Sequence, residues 1–529
     1  MSRKLLQSTA VIGAMTMISR VLGFVRDVLL ARLFGAGAAT DAFFVVFKIP
    51  NFLRRLFAEG AFQQAFVPVL SEYREKNSRA ELKSFVDHMF GTLATVLLLV
   101  VSLGVIGAPL VILLFAPGFA GDPAQQTLAE QMLWITFPYL LFISLTAFAA
   151  STLNAFGRFA MPALTPIWLN IALIGAALLL SPLMDEPVMG LAWGVFIAGI
   201  LQLGFLLPFL ARIGLLPRPR LGRHEGVRKT VRLMIPAMFG ASVTQISLLI
   251  DTILASLLVA GSVSWLYYSD RLVELPLGVF GVALATVILP KLSREHARQT
   301  PEAFNATLNW AVRLTLLIGL PATAGLVLLS GPILATLFEY GEFTPHDTQM
   351  VRLALMAYAL GLPAFLLIKV LAPAFFSRQD TATPVRVAVI SVLIGLGLKA
   401  VIVIPWMLSE QPAAHVGLAL ATALVAWLNA GMLAVILKRR AIWTIDTKMK
   451  RAALQTLAGC ASMILLLWWL APPATQWTAW DGWQRSGQLA GLIAAGAAAF
   501  VATALLAGMR PDLLRRDTCS DPPEKREDA

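Results

Sequence analysis

Ser19-Arg-Val-Leu-Gly-Phe-Val-Arg-Asp27 lies inside an apolar run that extends from Leu5 to Phe34. A run of that length reads as a membrane span, yet it carries Arg20, Arg26, Asp27 and Arg32. A cleaved signal peptide has an uninterrupted apolar core and a small-residue cleavage site, so this run is expected to stay as a first helix. Arg54 and Arg271 sit in similar surroundings, within the apolar stretches 41–71 and 263–291. A charged side chain at the bilayer centre costs roughly 2.5–3.5 kcal/mol on insertion scales, so four unshared arginines would cost on the order of 10 kcal/mol. Arg20, Arg26, Arg54 and Arg271 must therefore face a wet cavity or a partner. All are cations, which makes a large anion the expected complement.

The whole chain fits that setting. It has 529 residues, of which 58% are hydrophobic and only 14% charged, with a mean hydropathy of +0.76. This is the composition of an all-α polytopic membrane protein. Hydropathy and turn signals give fourteen transmembrane helices, at about 7–34, 41–71, 86–115, 131–156, 160–181, 188–211, 232–259, 263–291, 305–338, 348–377, 383–407, 413–437, 452–471 and 486–509. Alternate connections put thirty lysines and arginines on one side and none on the other. By the positive-inside rule both termini are cytoplasmic. The formal net charge of +12 lies in these short loops, which argues against a nucleic-acid partner. Cys460 and Cys519 are too few and too far apart for a disulfide framework or a metal site.

The first and seventh spans resemble each other. Asp27-Val-Leu-Leu-Ala-Arg-Leu-Phe-Gly-Ala-Gly37 aligns with Asp251-Thr-Ile-Leu-Ala-Ser-Leu-Leu-Val-Ala-Gly261, and Pro50 and Pro68 match Pro276 and Pro290 at offsets between 222 and 226. The expected organisation is an N-lobe over 1–211 (helices 1–6), a cytoplasmic linker over 212–231 and a C-lobe over 232–440 (helices 7–12). With six spans in each, the lobes form parallel repeats about a pseudo-two-fold axis along the membrane normal. Such transporters hold substrate near the midplane between the repeats. Two extra C-terminal helices fill 441–510, and 511–529 is a cytoplasmic tail.

Rise per residue sets the depth of the charges. Arg20 and Arg54 each lie 13 residues into their spans, about 20 Å deep, while Arg26 and Arg271 lie about 12 Å from the outer end. Arg20 and Arg26 are six apart, so an ideal helix points them about 120° apart. A turn weakened at Gly23 is expected to bring both toward the cavity, and Pro50 is expected to interrupt the second span before Arg54. Arg32 and Arg485, near span ends, are expected to snorkel to the interface. Asp27, Asp41, Lys48, Arg55, Glu59, Asp251 and Glu274 are candidates for cavity or gate; the alternative for Arg55 is to snorkel or face neighbouring helices, and for the others to act as structural neutralisers or ion-pair partners. Arg271 and Glu274, three apart, have the spacing of an ion pair.

Catalytic signatures are absent. The five histidines have no ligand spacing, and no HExxH, GxSxG or Walker A sequence occurs. The outer loops are too short for a catalytic domain. The chain reads as a transporter and not an enzyme, with no metal and no cofactor expected.

Ser19–Asp27, Phe34-Gly-Ala-Gly-Ala-Ala-Thr-Asp-Ala-Phe-Phe44, Lys48-Ile-Pro-Asn-Phe-Leu-Arg-Arg55 and Phe57-Ala-Glu-Gly-Ala-Phe62 resemble the opening of the MurJ (MviN) family of lipid II flippases. The likeness continues through Gly261-Ser-Val-Ser-Trp-Leu-Tyr-Tyr-Ser-Asp-Arg271 and Lys369-Val-Leu-Ala-Pro-Ala-Phe-Phe-Ser-Arg-Gln-Asp380. The resemblance implies a multidrug/oligosaccharidyl-lipid/polysaccharide exporter fold in a bacterial cytoplasmic (inner) membrane. It implies lipid II, the undecaprenyl-pyrophosphate glycopeptide of peptidoglycan biosynthesis, as substrate, and arginines matching Arg20, Arg26, Arg54 and Arg271 as its essential cavity cations. It also implies a groove for the lipid tail at the last two helices, in a protein working as a monomer among membrane lipids. The rival readings are an exporter of another polyprenyl-linked glycan, a drug/cation antiporter of the same superfamily, and an intramembrane glycosyltransferase.

Overall fold

The computed structural model describes residues 3–57, 61–409, 411 and 413–509, and their regular structure is entirely helical. Contacts gather the chain into two units, one reaching Ser264 and including Tyr340–Thr344, the other holding the remainder. The first unit contains α1 Arg3–Phe34, α2 Ala38–Phe57, α3 Ala61–Lys76, α4 Arg79–Ile106, α5 Ala108–Phe115, α6 Pro123–Thr136, α7 Tyr139–Ala155, α8 Ala160–Gly175, α9 Met189–Arg212 and α10 Glu225–Ser256. The boundary falls in the first turn of α11 Ser262–Pro276. The second unit continues with α12 Val282–Ala297, α13 Pro301–Leu328, α14 Ser330–Leu337, α15 Pro345–Ala359, α16 Leu362–Phe376, α17 Ala382–Leu408, α18 Ala414–Arg439, α19 Thr447–Leu470, α20 Ala474–Ala479 and α21 Gly482–Leu506.

Among the described residues, ten helical segments are long and apolar enough to cross a membrane. Outside those ten, besides the short α5, α14 and α20, lie α1, α2 with α3, α10, and α11 with α12. These are the elements that hold Arg20, Arg26, Arg54, Asp251 and Arg271.

Helix bounds recur at an offset of 222 residues. α4 starts at 79 and α13 at 301, α6 at 123 and α15 at 345, α8 at 160 and α17 at 382. α4 and α13 have 28 residues each, and the α5 and α14 that follow have 8 each. Proline is the common cause of the breaks. Pro109 and Pro332 lie in the first turns of α5 and α14, where a missing N–H costs nothing because those donors have no intrahelical partner. Several spans read as single runs are therefore two helices end to end.

The covalent linker after α9 is pinned to the first unit. The Arg218 amide donates to Asp87 Oδ1 at 2.8 Å and the Arg220 amide to the Asp87 carbonyl at 3.3 Å. Lys83 also pairs with Asp87. Gly91 is required there, since a Cβ would come within 2.2 Å of the Arg220 carbonyl oxygen. His224 caps α10, its Nδ1 accepting from the Gly226 amide at 3.1 Å. Burial, then the neighbouring His88, holds His224 below its ordinary pKa, favouring the neutral ring that can accept. Asn309 stands 222 residues after Asp87 and plays the same part in the second unit: its Nδ2 donates to the Thr444 carbonyl at 2.8 Å, and its Oδ1 accepts from Trp443 Nε1 at 3.0 Å. α10 packs on α2, α3 and α4, so by contact it lies with the helices before it, although the covalent repeat begins at the linker.

Arg485 departs from expectation. It is 7% exposed and does not snorkel. Its Nη1 donates to the carbonyls of Ala335 at 2.7 Å and Glu339 at 3.3 Å, its Nε to Trp480 O at 3.0 Å, and its Nη2 to Thr478 O at 3.3 Å. The last carbonyls of α14 have no intrahelical donors, and the guanidinium supplies them. Removing a charged donor from buried acceptors costs about 1.5–3 kcal/mol. Arg485→Leu should therefore lower the thermal midpoint of the purified protein by several degrees, measured by tryptophan fluorescence. An unchanged midpoint would mean that water satisfies these carbonyls.

Candidate functional site

α1 runs unbroken through Gly23, so the weakened turn expected there does not form. Gly23 instead faces α8, where an added Cβ would meet the Asn170 side chain at 3.6 Å, an ordinary contact. Because the helix is continuous, the six-residue spacing keeps Arg20 and Arg26 on different faces. Arg20 is exposed and Arg26 is 4% exposed.

The buried arginine is fully engaged. Arg26 Nε and Nη2 donate to Asp27 Oδ1 at 3.0 and 2.6 Å, and Nη1 donates to Asn170 Oδ1 at 3.0 Å. Asn170 Nδ2 in turn donates to the Ser19 carbonyl at 3.1 Å. A buried ion pair recovers its desolvation cost only when further hydrogen bonds satisfy the remaining groups, and Asn170 provides them. Asn170 belongs to no charged motif, and its signal in the sequence is an amide within the apolar run 160–181. A second buried polar chain links α7, α9 and α8: Tyr139 Oη donates to Gln202 Oε1 at 3.2 Å, and Gln202 Nε2 to the Thr165 carbonyl at 3.0 Å.

α2 also continues through its proline to Phe57, so Pro50 does not interrupt it. Asn51 bridges the next turn: its Nδ2 donates to the Phe47 carbonyl at 2.8 Å, and its Oδ1 accepts from Arg54 Nε at 3.3 Å. Arg54 and Lys48 are half-buried and Arg55 is exposed, while Glu59 lies outside the described residues. Asp41, in the first turn of α2, is 2% exposed. It accepts from the Gly261 amide at 2.7 Å, the Ser264 amide at 2.8 Å and the Ser264 hydroxyl at 2.5 Å. Asp41 thus supplies acceptors to the otherwise unpaired amides at the start of α11, at the positive end of its dipole.

At the other end of α1, Gly35 and Gly341 adopt φ of 62° and 61°. A Cβ on Gly341 would lie 2.3 Å from the Arg32 carbonyl oxygen, which already accepts from the Glu342 amide at 3.0 Å. Arg32 itself is exposed, over the Tyr340 ring at 5.8 Å.

In the second unit, Arg271 Nη1 donates to Glu274 Oε2 at 2.7 Å and Nη2 to Tyr267 Oη at 3.1 Å, with the guanidinium 5.0 Å from the Tyr267 ring centre. The ion pair anticipated from the i,i+3 spacing is present. Its side chains are 34% and 48% exposed, so both remain reachable. Asp251, on α10 in the first unit, is half-buried.

The family model described as lipid II flippase MurJ matches residues 30–481. A probable lipid II flippase MurJ of Vibrio cholerae is 46% identical over 96% of this chain and 97% of its own length. One from Haemophilus influenzae is 42% identical over 94% and 98%, and the lipid II flippase MurJ of Burkholderia cenocepacia is 40% identical over 88% and 90%. A solved lipid II flippase MurJ in an inward closed conformation superposes with a TM-score of 0.79 at 28% identity, covering 95% of this chain and 99% of that one. An inward-facing MATE family transporter of the MOP superfamily gives a TM-score of 0.63 at 14% identity, covering 82% and 98%. That second likeness speaks to the fold alone.

The Arg26–Asn170–Ser19 bridge ties α1 to α8. Asn170→Leu removes both hydrogen bonds and should cost about 1.5–3 kcal/mol, read as a lowered melting midpoint. Gly23→Ala, facing the same amide at ordinary contact distance, should leave the midpoint nearly unchanged. Equal stability of Asn170→Leu and the parent would show that the bridge carries no load.

Proposed function

The chain belongs to the MurJ lipid II flippase family, and on that premise we propose that it carries lipid II from the inner to the outer leaflet of a bacterial cytoplasmic membrane by alternating access. The polypeptide is a multi-pass membrane protein. Fourteen spans, cytoplasmic termini and action as a monomer complete the proposal. The observation that carries the site assignment is that α1 holds an exposed Arg20 and a buried Arg26 within one otherwise apolar stretch.

The arginines divide the work. Arg20 and Arg54 take the diphosphate, because a guanidinium fork meets two phosphate oxygens at once where an ammonium offers a point charge. Arg271 completes the set by exchanging Glu274 for a phosphate oxygen; the exposure of that pair keeps the exchange inexpensive. Arg26 is held by Asp27 and Asn170 in the present conformation, and contributes after that pair rearranges. Asp41 holds the start of α11 in one of the alternating states. Lys48, Arg55 and Asp251 are assigned to the cavity rim on charge alone, and Glu59 to the same group. A cation antiporter of the same superfamily would instead be expected to offer its substrate acidic groups.

Arg20→Ala, Arg26→Ala, Arg54→Ala and Arg271→Ala should each abolish complementation of a depleted strain while the protein still accumulates in the membrane. Loss of the protein in all four would make the arginines structural. Arg20→Lys and Arg54→Lys should weaken lipid II binding by about tenfold, the loss of roughly one charge-assisted hydrogen bond. Arg32→Lys should bind as the parent does. Equal tolerance of lysine at all three positions would replace the diphosphate clamp with a diffuse basic field.

A further inference from the structure

Arg313 belongs to none of the groups described above. It sits on α13, 12 residues after Pro301, and is 8% exposed. Its Nε is wholly enclosed and has no hydrogen-bond partner among the described residues. Every other deeply buried arginine in the described chain is supplied with acceptors: Arg26 by Asp27 and Asn170, Arg485 by four carbonyls. A buried guanidinium left without an acceptor costs several kcal/mol. Arg313 lines a cleft between α13 and α19, with Trp310, Leu314 and Leu317 on one wall, Ala452 and Thr456 on the other, and Met509 at the end. The cleft is narrow and open to its surroundings, with about 310 Å³ of space between its walls and beyond its mouth.

We propose that this cleft is a binding site for an anionic phospholipid of the cytoplasmic leaflet, with one phosphate oxygen entering to accept from Arg313. Placement of the cleft in that leaflet rests on the topology proposed above. The starts of α13 and α19 and the end of α21 then face the cytoplasm, and Arg313 lies about 18 Å along α13 from its start. Side chains on a helix tilt toward its N-terminus, so the guanidinium is directed back toward the headgroups. Lys448, Lys450 and Arg451 stand at the start of α19, a cationic cluster at the depth where lipid phosphates lie. Asp446, which caps α19 by accepting from the Met449 amide at 2.6 Å, and Glu302 at the start of α13 are the carboxylates on these two elements; neither pairs with Arg313. Thr456 spends its hydroxyl proton on the Ala452 carbonyl at 2.8 Å and keeps its lone pairs. Leu314, Leu317 and Met509 offer apolar wall to an acyl chain. None of Arg20, Arg26, Arg54 and Arg271 lines this cleft, which separates it from the site assigned to the diphosphate of the transported lipid.

The test uses the full-length protein in nanodiscs of phosphatidylcholine with increasing phosphatidylglycerol, read by native mass spectrometry for retained lipid and by thermal midpoint. The parent should retain one phosphatidylglycerol and gain stability as its fraction rises. Arg313→Gln should lose that lipid, with at least about a tenfold weaker affinity, the loss of one charge-assisted contact. Ala452→Phe keeps Arg313 but fills the cleft, and should displace the lipid as well, which keeps the proposal testable if Arg313→Gln fails to fold. Equal retention of phosphatidylglycerol by parent and both variants would overturn it. Equal affinity for phosphatidylcholine, or an occupant of water alone, would do the same. Displacement of the retained lipid by lipid II with one-to-one stoichiometry would assign the cleft to the transported substrate. That outcome leaves the flippase reading intact, whereas loss of lipid II binding on Arg20→Lys tests that reading independently of Arg313.

Discussion

A guanidinium cannot shed its charge at any ordinary pH, so inside an apolar bundle it must find acceptors, a counter-ion or water. The structure answers this requirement differently at each position. Arg485 meets the bare carbonyls at the end of α14 and becomes a structural rivet. Arg26 donates both to Asp27 and to the amide oxygen of Asn170. Arg271 pairs with Glu274 across one turn, with Tyr267 beneath it. Arg20 is simply left at the surface of its helix. The degree of engagement separates groups that hold helices together from groups still able to receive an anion.

The duplicated plan explains how such demands coexist with a stable bundle. Helix starts and breaks recur at an offset of 222, and even the polar residue that secures the following linker recurs, as Asp87 in one unit and Asn309 in the other. The copies nevertheless differ at charged positions. α1 holds Arg20 and Arg26 where the matching α10 has none, and α10 packs with the first unit. Divergence of the charged helices upon a conserved pattern of breaks is the arrangement expected of a transporter whose halves share a scaffold but not a task.

Much of this was legible beforehand for a physical reason. Hydropathy reports where backbone must be helical, because in hydrocarbon every amide has to be paired within its own segment. Proline reports where one helix ends and another starts, although Pro50 shows the limit: the Asn51 side chain reaches Phe47 O and the helix continues. Spacing along a continuous helix anticipated the Arg271–Glu274 pair, whereas the turn expected at Gly23 to bring Arg20 and Arg26 together does not form.

Helical character, the duplication, the family and the unusual cations were therefore settled by the order of residues along the chain, since periodicity and local stereochemistry act over a few residues at a time. Which cations are engaged was settled by folding. Asn170 is 144 positions from Arg26, and Ala335 is 150 from Arg485. Asp41 reaches 223 positions to the start of α11. No local rule brings those partners together. Burial of a charge depends on what other helices present to it, and only packing supplies the answer.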